Sequence, residues 1–108
     1  MVQIENDNII YKLGRNANEN FELIDEATDI NSAYWWFHLK DHPSGHCIVH
    51  TDQMDKSIAI FAGTLVKSKS KLKDQKKVKI IYTQIKNIRK TKTKGEVKLI
   101  EEPIEITI

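Results

Sequence analysis

One stretch limits the fold more than any other. Ala33–Lys40 (AYWWFHLK) holds both tryptophans, and its aromatic and β-favouring side chains predict a strand. His42-Pro43-Ser44-Gly45 follows as a turn, because proline and glycine together stop regular structure. His46–Thr51 (HCIVHT) then returns as a second strand. A strand, a short turn and a strand make an antiparallel hairpin. That hairpin must find more sheet and a helix to cover it, since two strands alone are marginal in water.

The rest of the chain supplies both. Asn8–Leu13 (NIIYKL) reads as a first strand stopped by Gly14. Asn16–Ala27 reads as a helix capped by Asn16, with Glu19 three residues on and Phe21, Leu23, Ile24 and Ala27 at apolar spacing. Asp52 is the expected cap of a longer helix, Gln53–Leu72, with Met54, Ile58, Phe61, Ala62, Leu65 and Val66 on one stripe. Val78–Thr83 reads as a strand, Lys94-Gly95 as a turn, and Glu96–Ile100 and Ile104–Ile108 as closing strands around Pro103. Grouped strands with about two helices predict an α+β fold with a mainly antiparallel sheet, one domain over residues 1–108.

Charge is segregated along the chain. The net value is only +2, yet residues 1–66 carry four Lys and Arg against ten acids. Residues 67–94 carry twelve Lys and Arg against Asp74 alone, a balance of +11, and residues 95–108 return to −3. A segment of that kind is a candidate polyanion surface, because each cation set on a phosphate releases counterions. The plainer readings are a solvated lysine-rich helix end or a basic targeting signal in Lys67–Lys79.

The four histidines fall at a spacing of four, His38, His42, His46 and His50. On a helix this would be a metal comb, but Pro43 and Gly45 interrupt it. In a hairpin the four scatter over two strands and a turn, as polar positions of which one or two belong to a binding site. No metal or other cofactor is expected. Cys47, the lone cysteine, excludes an intramolecular disulfide and reads as a small buried hydrophobe. Phosphate-loop, dinucleotide-binding, zinc-protease and nucleophile-elbow signatures are absent, so the chain reads as non-enzymatic. No apolar run is long enough to span a membrane and the first residues show no secretory signal, so a cytoplasmic protein is expected.

Three blocks in order resemble one family. Gly14-Arg15-Asn16-Ala17-Asn18-Glu19-Asn20, Trp36–Val49, and Tyr82–Lys90 with Gly95 and Val97 are similar to the signature of the NFACT-R domain. This is the RNA-binding domain at the C-terminal end of the NFACT ribosome-quality-control proteins. One departure is plain: the family turn reads P-G-S-H, whereas here it is Pro43-Ser44-Gly45-His46. The resemblance implies a module for structured RNA, tRNA or rRNA, with DNA a competing polyanion and the ribosome or quality-control factors as partners. The other regions of the full-length relatives do not fit in 108 residues, so a standalone form is expected.

Resemblance and residues together define candidate contacts. The first block contributes Arg15, Asn16 and Asn20, and the second Trp36, His38, Lys40, Asp41, Ser44 and His46. Lys67, Lys69 and Lys71 come from the basic segment, and Tyr82, Lys86, Arg89 and Lys90 from the third block. Strand alternation puts Trp35, Phe37 and Leu39 on an apolar core face and Trp36, His38 and Lys40 on a stacking and phosphate face. The rival reading is an adaptor whose basic surface meets an acidic protein partner. Ile104–Ile108 is a candidate edge strand able to pair with another copy.

Overall fold

A computed structural model describes residues 1–108. The strands are β1 (Val2–Asn6), β2 (Ile9–Leu13), β3 (Trp35–Leu39), β4 (Cys47–Val49), β5 (Lys79–Gln84), β6 (Ile88–Lys90), β7 (Val97–Leu99) and β8 (Ile104–Thr107). The helices are α1 (Ala17–Ile30) and α2 (Lys56–Ser68), with a short 3-10 turn at Ile85–Asn87. Six strands form one antiparallel sheet in the order β1-β2-β4-β3-β5-β8, and β6 and β7 form a separate hairpin. The fold is α+β with a mainly antiparallel sheet, as its strand grouping predicts.

Two cores sit on opposite faces of the sheet. Alternation along β3 divides its side chains between them. Phe37 and Leu39 face α2, packed with Tyr11, Val49, Ala59, Ala62, Val66 and Ile80. Trp36 faces α1, packed with Leu23, Ile24, Ala27, Ile48, Ile85 and Ile88. Trp36 is 2% exposed, so the expected stacking face of β3 is at that position a second core. Full burial of a side chain this large is worth roughly 2–3 kcal/mol, more than any exposed stacking site would recover in the free protein.

Local rules account for the remaining differences. Strand β1 was not expected. It pairs with β2 across Asp7 and Asn8, whose φ values of 52° and 65° make the two-residue turn that suits strand twist. Helix α1 starts where its cap predicts: Asn16 accepts from the Glu19 N–H at 2.9 Å. Helix α2 starts three residues later than expected. Asp55, not Asp52, is its cap, accepting from the Ile58 N–H at 2.8 Å. Thr51 Oγ1 instead accepts from the Gln53 N–H at 3.1 Å and holds Asp52–Met54 out of the helix.

A candidate nucleic-acid interface

Helix α1 covers only part of its sheet face. Beside its N-terminus the sheet is left open, and there lies a cleft of about 1020 Å³. Its floor includes Trp36, His38, His46 and Ile81. The walls come from four separate segments: the start of α1, the Asp41–Gly45 turn, the Lys69–Leu72 turn that follows α2 and the β6–β7 hairpin with its Thr93–Glu96 turn.

Close backbone approaches build these walls. A Cβ on Gly14 would lie 2.0 Å from Asn20 Oδ1, so only glycine lets that side chain in. Asn20 is 6% exposed, and its Oδ1 accepts from the His46 N–H at 3.1 Å. The Gly14 N–H donates to the His46 carbonyl at 3.0 Å. Gly45 closes against the same strand end, since a Cβ there would meet the Gly14 carbonyl oxygen at 2.4 Å. The Ser44-Gly45 order therefore serves close approach. The left-handed residue of this loop is Asp41, at φ 59°. Ser44 Oγ accepts from the Leu39 N–H and donates to the Gly45 carbonyl. Gly95, at φ 83°, packs on the first turn of α1, where a Cβ would meet that of Ala17 at 2.7 Å. That contact brings the β6–β7 turn, and Lys94 with it, to the cleft.

The histidine spacing resolves into geometry. His38 and His46 meet at 5.2 Å between ring centroids, nearly perpendicular. Trp36 stacks on His38 at 5.6 Å and 9°, and meets His46 edge-on at 5.6 Å. Burial, with His38 beside it, pushes the His46 pKa down to about 3. Burial also lowers that of His38, whose Nδ1 lies 2.6 Å from the Leu39 carbonyl oxygen. His50 lies outside the cleft, tilted against the Tyr34 ring at 4.8 Å and 3.7 Å from Glu26, while His42 is exposed on the turn. No group of three His, Cys, Asp or Glu side chains is arranged to hold a metal. Cys47 is fully buried, and burial pushes its thiol pKa far up, which leaves it unreactive.

Ten of the sixteen candidate contacts line the cleft: Arg15, Asn16, Asn20, Trp36, His38, Asp41, Ser44, His46, Lys69 and Lys71. Six do not. Lys40 pairs with Glu105 at 2.9 Å on β8. Lys67 Nζ donates to the Ile108 carbonyl at 3.1 Å. Tyr82 is stacked on Phe37 at 4.6 Å, in the core on the α2 face. Lys90 pairs with Asp25 and lies over the Phe21 ring, and Arg89 Nη1 donates to the Lys86 and Ile88 carbonyls. Lys86 is exposed but outside the cleft. Within the cleft Arg15 is already held by Glu19, at 2.7 Å, and with the N-terminal ammonium holds the Glu19 carboxyl well below the usual carboxylate range. Lys69, Lys71 and Lys94 are exposed and make no ion pair. Lys94 ends the Lys86–Lys94 stretch along which RNA is expected to lie, without being singled out as a contact. Its signal was the turn dipeptide Lys94-Gly95 inside the basic segment.

A two-sided antiparallel sheet with one broad open cleft defines the class, a small α+β binding module. The chain belongs to the NFACT-R family: the profile described as the NFACT protein RNA binding domain matches residues 1–99. Over 55 residues, 51% of this chain, it is 33% identical to the Rqc2 homolog RqcH of Bacillus subtilis (strain 168). That stretch is 10% of the relative's length. Its fold is similar to the C-terminal part of the fibronectin/fibrinogen-binding protein from Streptococcus suis, with a TM-score of 0.86 over 98% of this chain and 43% of the other, at 21% identity. All three sequence blocks contribute cleft residues, the third through its Gly95 and Val97. The Tyr82–Lys90 part of the third block supplies core residues Tyr82, Ile85 and Ile88.

Proposed function

We propose that the protein is a non-catalytic module that grips structured RNA, tRNA or rRNA, by its phosphate backbone at this cleft, and that it serves ribosome-associated quality control. One observation carries the reading. Lys69 and Lys71 from the turn that follows α2 and Lys94 from a turn more than twenty residues later line one cleft, with no protein partner for their charge. Cations from distant segments held together without counter-charges suit a phosphate backbone. Asp41 and Glu96 on the same rim limit where phosphates sit. The family's description as an RNA-binding domain supports the choice of RNA over other polyanions. Its similarity to RqcH, named as an Rqc2 homolog, supports the ribosomal setting.

The test is a titration of the protein against tRNA, duplex RNA and duplex DNA at several salt concentrations. If about four phosphates are neutralised, the log–log salt slope is roughly −3 to −4. Tighter binding to tRNA or duplex RNA than to DNA at matched salt is the expected result. Equal binding to all three reduces the site to a general polyanion surface. No binding at low salt contradicts the reading and favours an acidic protein partner.

A further inference from the structure

The floor of the cleft differs in kind from its rim. A surface that only holds backbone phosphates needs cations and amides. This floor is aromatic and buried, and it carries unmet hydrogen-bonding groups. Trp36 and His46 are each 2% exposed, and neither Trp36 Nε1 nor His46 Nδ1 has a hydrogen-bond partner. A buried polar group left unpaired is costly, so two on adjoining rings in one cleft call for a ligand that pairs with them. The indole N–H can only donate. His46 is neutral in the physiological range, so its Nδ1 offers one lone pair or one N–H. Beside them His38 presents a second imidazole, parallel to Trp36.

We propose that the cleft receives one unstacked nucleotide of the bound RNA. Its base lies against His38, the partly exposed ring of the three, with its edge toward Trp36 Nε1 and His46 Nδ1 and its phosphate toward Lys69, Lys71 and Lys94. This deepens the proposed function and rests on it. The observations favour a base over a bare anion because the floor is apolar ring surface with one obligate donor. They favour a single base because the two unpaired groups belong to adjoining rings, 5.6 Å apart between centroids. Unstacked bases are also what RNA-reading proteins hold against aromatic rings and read along their edges.

Two hairpin RNAs with the same stem test this, one fully paired and one with a single bulged adenosine. Stacking and edge pairing of one base predict roughly ten- to a hundredfold tighter binding of the bulged RNA at matched salt. His46→Phe removes both ring nitrogens and lowers that ratio. A second readout needs no variant. The indole N–H resonance of Trp36 shifts when the bulged RNA is added and not when the paired RNA is added. Trp35 is the internal control, since its Nε1–H donates to the Asp52 carbonyl at 3.3 Å. Equal affinity for the two RNAs overturns the nucleotide site and leaves backbone binding standing. Failure to bind either RNA overturns backbone binding, and the nucleotide site with it.

Discussion

Asn20 shows how a binding candidate becomes a structural tie. Its side chain fixes the first turn of α1 to the backbone at the start of β4, through the His46 N–H. Asn20→Ala leaves that buried donor unpaired and lowers stability by about 1–3 kcal/mol, read from the urea midpoint. An unchanged midpoint would show that the contact is dispensable. The histidines set a pH dependence of the same sense as the Glu19 ion pair, with stability falling as the pH drops. His46 titrates near 6.5 when unfolded and near 3 when folded, so between those values the unfolded chain binds the extra proton. Stability is full above about pH 6.5 and falls as the pH drops, by at most about 1.4 kcal/mol per unit from His46. His38 and His50 are shifted the same way and add to the slope. Urea midpoints at about pH 7 and about pH 5 check this, the lower pH giving the lower midpoint.

Among the elements, the hairpin around Pro43 and the first helix followed directly from residue types, because a turn and a cap are local. Helix α2 shows where local reading stops. Asp52 and Asp55 both satisfy the capping preference, and the choice falls to the Thr51 hydroxyl, which holds the Gln53 N–H outside the helix. Asp55→Ala therefore destabilises by about 1 kcal/mol, whereas Asp52→Ala has little effect in the same thermal melt. Equal losses would place the cap elsewhere. The aromatic strand was harder still. Alternation separates two faces of β3 but does not say what covers each. Trp36 reads as exposed until α1 is seen to lie across it. Strand β1 was hidden for a different reason: its turn, Asp7-Asn8, lacks the glycine that marks most such turns.

In the whole molecule, the sheet's two coverings are unequal, and the open part of the α1 face is the cleft. Most of its lining was present in the sequence as the Gly14–Asn20 and Trp36–Val49 blocks and the basic segment. What the sequence did not carry was the sorting of the cations. Lys40, Lys67 and Lys90 look like Lys69 and Lys71 in a charge count, yet each is committed to a partner within the fold. Lys94 joins them only because Gly95 packs on Ala17. Long-range pairing of that kind has no local signature.

Replacement of Lys69, Lys71 and Lys94 together by alanine, followed by tRNA titration across salt concentrations, tests this sorting directly. All three are exposed, so the variant folds as the parent does. Binding through the cleft predicts weaker affinity at every salt concentration and a log–log slope shallower by about three, one for each lost phosphate contact. Unchanged affinity and slope would contradict the cleft as the RNA-binding surface.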